Sequence, residues 1–338
     1  MKNFYIWTIG CQYNVHDGTV LNYILKKLGF NETDPAEADF IIILACSVRQ
    51  TAIDRVFGRI KHWRDKKIIL TACVLPQDRK KFAKLNIKFW DIKDTAGLAK
   101  ILDVKVKNKI DQFKKEGAKF SNYVPIMVGC NNFCSYCAVP FTRGREFSIP
   151  FNTVLNNVKN LVKKGEKEIM LLGQNVNSYK YGFAKLLEKL NALPGNFKVS
   201  FTSNHPKDMT DDIIEAVATL PKIKKEIHLP LQSGSDKILR LMNRPYTAKK
   251  YLKIIDKIHK ASPKIKITTD AIVGFPTETK KDFQKTIDVF KKVRFSQAYI
   301  GKYSPRPGTA AAKMKDGISW QEKQRRWHIL NKLINIDK

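Results

Sequence analysis

Acidic residues are scarce in this sequence. Its 338 residues carry 31 Asp and Glu against 62 Lys and Arg, a formal charge of +31. That shortage points to an anionic partner, most simply nucleic acid, unless the excess is a lysine bias spread thinly over the surface. Long hydrophobic runs are missing too. No stretch is long enough to span a bilayer, and the opening "MKNFYIWTIGCQYN" turns polar at once, so neither a membrane protein nor a signal peptide is expected. The expected location is the cytoplasm, where the six cysteines remain reduced and serve metals or catalysis rather than disulfides. Low-complexity tracts and close short-period repeats are also absent, while 43% hydrophobic residues suffice for packed cores and the length suggests two domains.

What is present is a repeated alternation of strand and helix patterns. Strands are expected at "FYIWTI" (4–9), "FIIILA" (40–45), "KIILTA" (67–72) and "IKFWDI" (87–92). Helical spacing falls between them in "DGTVLNYILKKLGF", ended by Gly29, and in "TAIDRVFGRIKHWRD". These elements imply a small open α/β sheet, mostly parallel, over residues 1–105. Residues 106–122 read as a Lys-rich linker. Further strands follow at 123–129, 168–173, 198–203, 226–231, 266–275 and 297–304, with helices at 152–164, 209–219, 247–260 and 279–292. Six such βα units over 123–310 suggest a partial parallel barrel rather than a closed eightfold one.

The cysteines sit at the carboxyl ends of these strands. Cys11 follows "TIG", Cys46 follows "IILA" and Cys73 follows "LTA". Ligand sites in parallel sheets gather at that edge, so the three can converge on one point, although each is also explicable as a small buried hydrophobe. Cys130, Cys134 and Cys137 form a C-x3-C-x2-C run in the loop after the first barrel strand. Three thiolates can hold three irons of a four-iron cluster and leave the fourth iron open. An open iron could chelate the amino and carboxylate groups of S-adenosylmethionine and pass one electron to its sulfonium. A zinc site is the alternative, with a remote fourth ligand such as His205 or His228.

"CNNFCSYC" after a strand resembles the radical S-adenosylmethionine superfamily, with its 4Fe–4S cluster in a partial (βα)6 barrel. The likeness extends through "GCNNFCSYCAVPFTRGRE", "LLGQNVNSY", "HPKDMTDDII", "HLPLQSGSDKILRLMNRPYT", "DAIVGFPTET" and "YSPRPGTAAAKM" to the methylthiotransferases. It implies a second 4Fe–4S cluster on Cys11, Cys46 and Cys73. It also implies a two-part reaction, each part using one S-adenosylmethionine. A methyl group goes to sulfur held at the second cluster, and a deoxyadenosyl radical removes the hydrogen from adenine C2, where the methylated sulfur is captured. "GQNVNSY" and "VPFTRG" are most similar to the enzymes acting on isopentenyl-adenosine beside the tRNA anticodon. Relatives modify threonylcarbamoyl-adenosine or a ribosomal-protein aspartate. A reductase or flavodoxin-type electron donor and a sulfur donor are implied as partners, with the tRNA anticodon stem-loop.

Within these motifs Gln174 and Asn175 could bond the methionyl or ribose groups, and Ser203 and Gln232, near later strand ends, are further candidate contacts to S-adenosylmethionine. Arg244 suits the methionyl carboxylate, and backbone at Val139 and Phe275 could line the adenine. Turn formation and helix capping are competing roles for these polar residues. Arg143 and Arg145 are read as RNA-phosphate contacts, or else as a solvated face. Three features depart from the family pattern. The usual C-terminal RNA-gripping barrel, the TRAM domain, is not expected, since residues 311–338 hold only a basic helix, "SWQEKQRRWHILNKLI", which could bind RNA or simply pack. Leu44-Ala45 stand where Asn-Thr is usual, and Ala72 replaces a usual Gly before Cys73.

Overall fold

The computed structural model describes residues 2–104, 110–113, 116 and 121–334. Most of the expected linker at 106–122 lies outside the described residues. Of its described part, Ile110 is buried in one apolar cluster with Trp90, Leu98 and Leu102.

The N-terminal sheet has five parallel strands in the order β2-β1-β3-β4-β5, formed by Asn3–Thr8 (β1), Asn31–Glu32 (β2), Phe40–Cys46 (β3), Lys67–Cys73 (β4) and Lys88–Phe89 (β5). β3 is central, and its continuous apolar run is what a strand covered on both faces requires. Its side chains alternate accordingly. Phe40, Ile42 and Leu44 join Val20, Leu21, Ile24 and Leu25 of the helix Gln12–Lys27 on one face. Ile41, Ile43 and Ala45 join Ile53, Val56 and Ile60 of the helix Gln50–Ile60 on the other. Full burial of one such branched side chain contributes about 1.5–3 kcal/mol, so a register slip in β3 would be heavily penalised. β5 is shorter than expected because Trp90 turns into the core and its indole Nε1 donates to the Asp94 carbonyl, 2.7 Å away.

The second part is a mixed α/β partial barrel. Tyr123–Pro125 (β6), Glu168–Leu172 (β9) and Lys198–Phe201 (β10) form one parallel sheet. Glu226–His228 (β11), Lys266–Val273 (β12) and Gln297–Lys302 (β13) form another, and a parallel bridge from Val199 to Ile223 lies between them. The expected strand 123–129 is broken at Ile126. Beyond that residue Met127–Val128 (β7) pairs antiparallel with Phe147–Ser148 (β8). β11 stops early because Pro230 has no donor, and Leu231 instead donates to the Thr269 hydroxyl. The helix Lys280–Val293 starts with a reciprocal Thr279–Asp282 capping box.

The C-terminal helix Trp320–Ile334 packs on the barrel. Leu330 is fully buried, and the Trp327 indole donates to the Ile300 carbonyl. Two of its cations are used internally: Arg326 pairs with buried Glu278, and Lys323 lies against Gly274 and pairs with Asp316. Among the described residues no helix is long and apolar enough to cross a membrane.

Candidate active site

The C-x3-C-x2-C loop is an excursion closed at its base by the β7–β8 ladder. Gly129 begins it with φ +79°, and a Cβ there would lie 2.1 Å from the Arg145 carbonyl oxygen, so the position admits only glycine. The Gln174 side-chain oxygen accepts from the Gly129 amide at 2.5 Å, and the Cys130 amide donates to the Gly144 carbonyl at 3.2 Å. Farther along, the Ser135 hydroxyl donates to the Leu241 carbonyl at 2.7 Å, and the Asn243 amide donates to the Asn132 and Phe133 carbonyls. The loop is therefore held from several barrel loops. Cys130 is buried, and Cys134 and Cys137 are half-buried. Burial, reinforced by Cys134, pushes the Cys137 thiol up to about 12, and burial raises Cys130 as well.

The second cysteine set assembles from three strand ends. Cys46 and Cys73 close β3 and β4 as register partners, and Cys11 caps the amino end of the helix Gln12–Lys27. A Cβ on Gly10 would lie 2.9 Å from the Cys46 Cβ, which brings the Cys11 turn against Cys46. Asn14 ties the loops together: its side-chain amide donates to the Ile9 carbonyl at 2.7 Å and the Ala45 carbonyl at 3.0 Å. The bond at residue 45 is to backbone, so the departure to Leu44-Ala45 leaves it intact, and both side chains are fully buried in the core. The other departure carries a cost. Ala72 has φ +69°, a left-handed conformation that favours the glycine usual at this place. Burial pushes the Cys73 thiol up to about 11 and raises Cys46 too.

One arginine is not where the sequence reading put it. Arg143 is only 7% exposed, which corrects its reading as an RNA-phosphate contact. Its Nε donates to the Cys73 sulfur at 2.9 Å, Nη1 to Asp17 at 2.9 Å and Nη2 to the Asn14 oxygen at 2.6 Å. Each of the three guanidinium nitrogens is turned to an internal partner, and burial leaves no face open to a phosphate. Arg145 is exposed, with its guanidinium carbon 4.3 Å from the Phe133 ring centre. Arg244 is buried with Nε bonded to the Tyr246 hydroxyl, Nη2 to the Pro230 carbonyl, and Nη1 3.6 Å from the Cys134 sulfur. It faces a cysteine of the loop, beside the place where a cluster would bind.

Among the other predicted contacts, Gln232 has φ +64° and a buried side-chain oxygen without a protein partner. It lines a cavity with Tyr136, Cys137, Asp270 and Tyr303. Val48 and Arg49, just past Cys46, line the same cavity. Asn175 is buried, donating to Asp208 at 2.7 Å with its own oxygen unpartnered. Ser203 is half-buried with φ +66°. Val139 begins the short helix Val139–Thr142 beside the loop. The Phe275 side chain is fully buried 5.2 Å from Tyr303 in a cluster with Ile238 and Met242, so only its backbone is available to the adenine contact expected there. Sequence reasoning missed Arg49, Tyr136 and Asp270. Only their nearness in sequence to Cys46 and to Cys137, and for Asp270 a carboxylate inside the apolar strand β12, signalled them.

Residues 124–290 match the Radical SAM superfamily, and residues 3–90 match the Uncharacterized protein family UPF0004. The chain is 42% identical to the tRNA-2-methylthio-N(6)-dimethylallyladenosine synthase of Endomicrobium trichonymphae, over 98% of this chain and 84% of that protein. It is 40% identical to the synthase of the same name from Carboxydothermus hydrogenoformans, over 99% of this chain and 83% of that one. This chain belongs to the radical SAM tRNA methylthiotransferases. The methylthiotransferase fold is similar to that of a solved radical S-adenosylmethionine methyltransferase, TsrM from Kitasatospora setae, with TM-score 0.61 and 12% identity over 92% of this chain and 77% of that one.

As a radical SAM enzyme, the methylthiotransferase uses S-adenosylmethionine and a 4Fe–4S cluster. The donor set fits such a cluster. Buried thiols with raised pKa values keep their protons until a bound cation displaces them, and the Arg244 guanidinium already faces Cys134. The radical SAM match favours a 4Fe–4S cluster over the zinc alternative. Both His228 ring nitrogens are engaged, by Thr268 and Asp270, while His205 Nδ1 accepts from the Lys207 amide and its buried Nε2 has no protein partner.

Proposed function

We propose that this methylthiotransferase places a methylthio group on C2 of N6-dimethylallyladenosine (isopentenyl-adenosine) beside the anticodon of tRNA. The single observation that carries this is the cavity bordered by Cys137 on one side and by Val48 and Arg49, just past Cys46, on the other. A base held there lies between the two cysteine sets. Apolar lining from Val48, Tyr136 and Ile272 suits a dimethylallyl group.

In this reading Cys130, Cys134 and Cys137 hold the cluster that binds S-adenosylmethionine, and Cys11, Cys46 and Cys73 hold a second 4Fe–4S cluster. When bound, the first supplies the electron that cleaves S-adenosylmethionine and the second carries the sulfur to be transferred. The protein's own groups hold and shield. Gln174 fixes the Gly129 turn, Arg244 offsets charge at Cys134, and the unpartnered Gln232 and Asn175 oxygens are acceptors for ligand hydroxyl or amino groups. Residues 1–105 would form the second-cluster domain and 123–310 the radical SAM domain, followed by the basic helix Trp320–Ile334. A flavodoxin-type reductase and a sulfur donor complete the cycle, and exposed Arg145 is retained as an RNA contact.

The test is nucleoside mass spectrometry on tRNA from a bacterial host lacking its own methylthiotransferases and expressing this chain. Appearance of 2-methylthio-N6-dimethylallyladenosine is the expected result. A methylthio group only on threonylcarbamoyl-adenosine would overturn the substrate and point to Arg49 as its carboxylate partner. No modified nucleoside from a fully loaded enzyme would overturn the reading.

A further inference from the structure

The segment Arg143-Gly144 touches both cysteine sets. Its Gly144 carbonyl receives the Cys130 amide, and its Arg143 side chain crosses to the N-terminal sheet and donates to the Cys73 sulfur. The N-terminal part grips it in return, since the Lys93 ammonium donates to the Arg143 carbonyl at 3.0 Å. The Arg143 guanidinium also lies over the Tyr13 ring, 4.1 Å from its centre.

Burying a guanidinium is costly unless its nitrogens meet acceptors and the charge is offset. Asp17 offsets the charge at Nη1, and Asn14 accepts from Nη2. The Nε donor goes to sulfur, and a neutral thiol is a weak acceptor. The same geometry becomes a charge-assisted bond once Cys73 is a thiolate ligand. Among the three cysteines of this set, the described hydrogen bonds place an arginine donor only on Cys73.

We infer that Arg143 is a positioning residue that stabilises the reduced, more negative state of the cluster on Cys11, Cys46 and Cys73. The inference rests on the two-cluster reading above. Cationic donors to cluster sulfur ligands raise the reduction potential, so the radical SAM loop itself tunes the sulfur-carrying site.

The test uses the full chain with Cys130, Cys134 and Cys137 all changed to Ala, so that any cluster belongs to the other set. Anaerobic dithionite titration with EPR detection gives its one-electron potential. Adding Arg143→Met is expected to lower the reduction equilibrium at least about tenfold, or 59 mV, with Arg143→Lys restoring part of it. Asp17→Asn keeps the donor on Cys73 while removing its counter-charge, and is expected to shift the potential upward. It carries the test if Arg143→Met fails to hold iron. Potentials and EPR line shapes unchanged by these substitutions would overturn the inference and leave the two-cluster reading standing. An iron-free parent would overturn both.

Discussion

The two cysteine sites are built in opposite ways. Cys130, Cys134 and Cys137 fall within eight residues, closed by one short ladder and a glycine turn. Cys11, Cys46 and Cys73 come from three strands, and barrel residues reach in to complete their surroundings. Arg143 contacts Cys73. Arg306 crosses to Asp78, which in turn accepts from the Ser47 hydroxyl next to Cys46. The first site is a local cassette hung on the barrel, while the second is a product of tertiary docking. Local sites survive small shifts of their scaffold, and composite ones are exposed to every element that contributes to them.

The sharpest way to break this comparison is at the sulfurs. Cys130→Ala is expected to abolish both reductive cleavage of S-adenosylmethionine and methylthiolation. Cys11→Ala should leave 5′-deoxyadenosine formation and lose only the methylthiolated nucleoside, as read by chromatography of the two products. Loss of both in Cys11→Ala would show that the sites are not separable.

Next in size is the docking contact. Arg306 and Asp78 are each at most 1% exposed, and their ion pair spans 2.5 Å. Arg306→Met leaves a buried carboxylate uncompensated and should cost about 3–5 kcal/mol in denaturant unfolding. Iron bound by the Cys11 set should fall more than iron bound by the loop set, and equal loss would contradict a composite site.

pH gives a third handle, through the helix that begins at Cys11. Burial holds His16 down to about 4, with Arg143 acting in the same direction against a bond that the imidazole donates to the Tyr123 backbone. The folded state keeps His16 neutral while the unfolded chain takes up a proton below about 6.5. Stability is thus fully present above that value and declines as pH falls toward about 4, by about 3 kcal/mol in total. His205, held down to about 2 mainly by burial, adds a loss of the same sign. Urea midpoints at pH 7 and pH 5 should therefore differ more in the parent than in His16→Gln, and identical differences would sink this assignment.

The smallest expected effect sharpens the comparison in the other direction. Ala72→Gly relieves the left-handed backbone before Cys73, and after the entropy cost of glycine should gain about 0.5–1 kcal/mol. A lower denaturation midpoint would show that the strain is not where the backbone angle puts it.

Legibility followed the same division. The strand cores and all six cysteines were readable because hydrophobic period and sheet-edge position are local properties of the chain. β3 reads as a buried parallel strand from "FIIILA" alone, and the cysteine loop reads from its spacing. The arginines were not readable. "TRGRE" looks identical whether Arg143 meets RNA or folds back onto Cys73, because burial of a long side chain depends on what docks over it. The split of the first barrel strand was hidden for a similar reason. Its residues are all apolar, and only the competing partner β8 turns Met127 and Val128 away from β9.

Residue order by itself determined the parallel sheets, the two sets of three thiols and the strand ends that carry them, since periodicity and spacing act over a few residues. Tertiary structure decided which cations face those thiols, which predicted contacts are core, and that one cavity borders both loops. Those outcomes depend on distances between segments far apart in the chain, and only packing of the barrel against the sheet sets them.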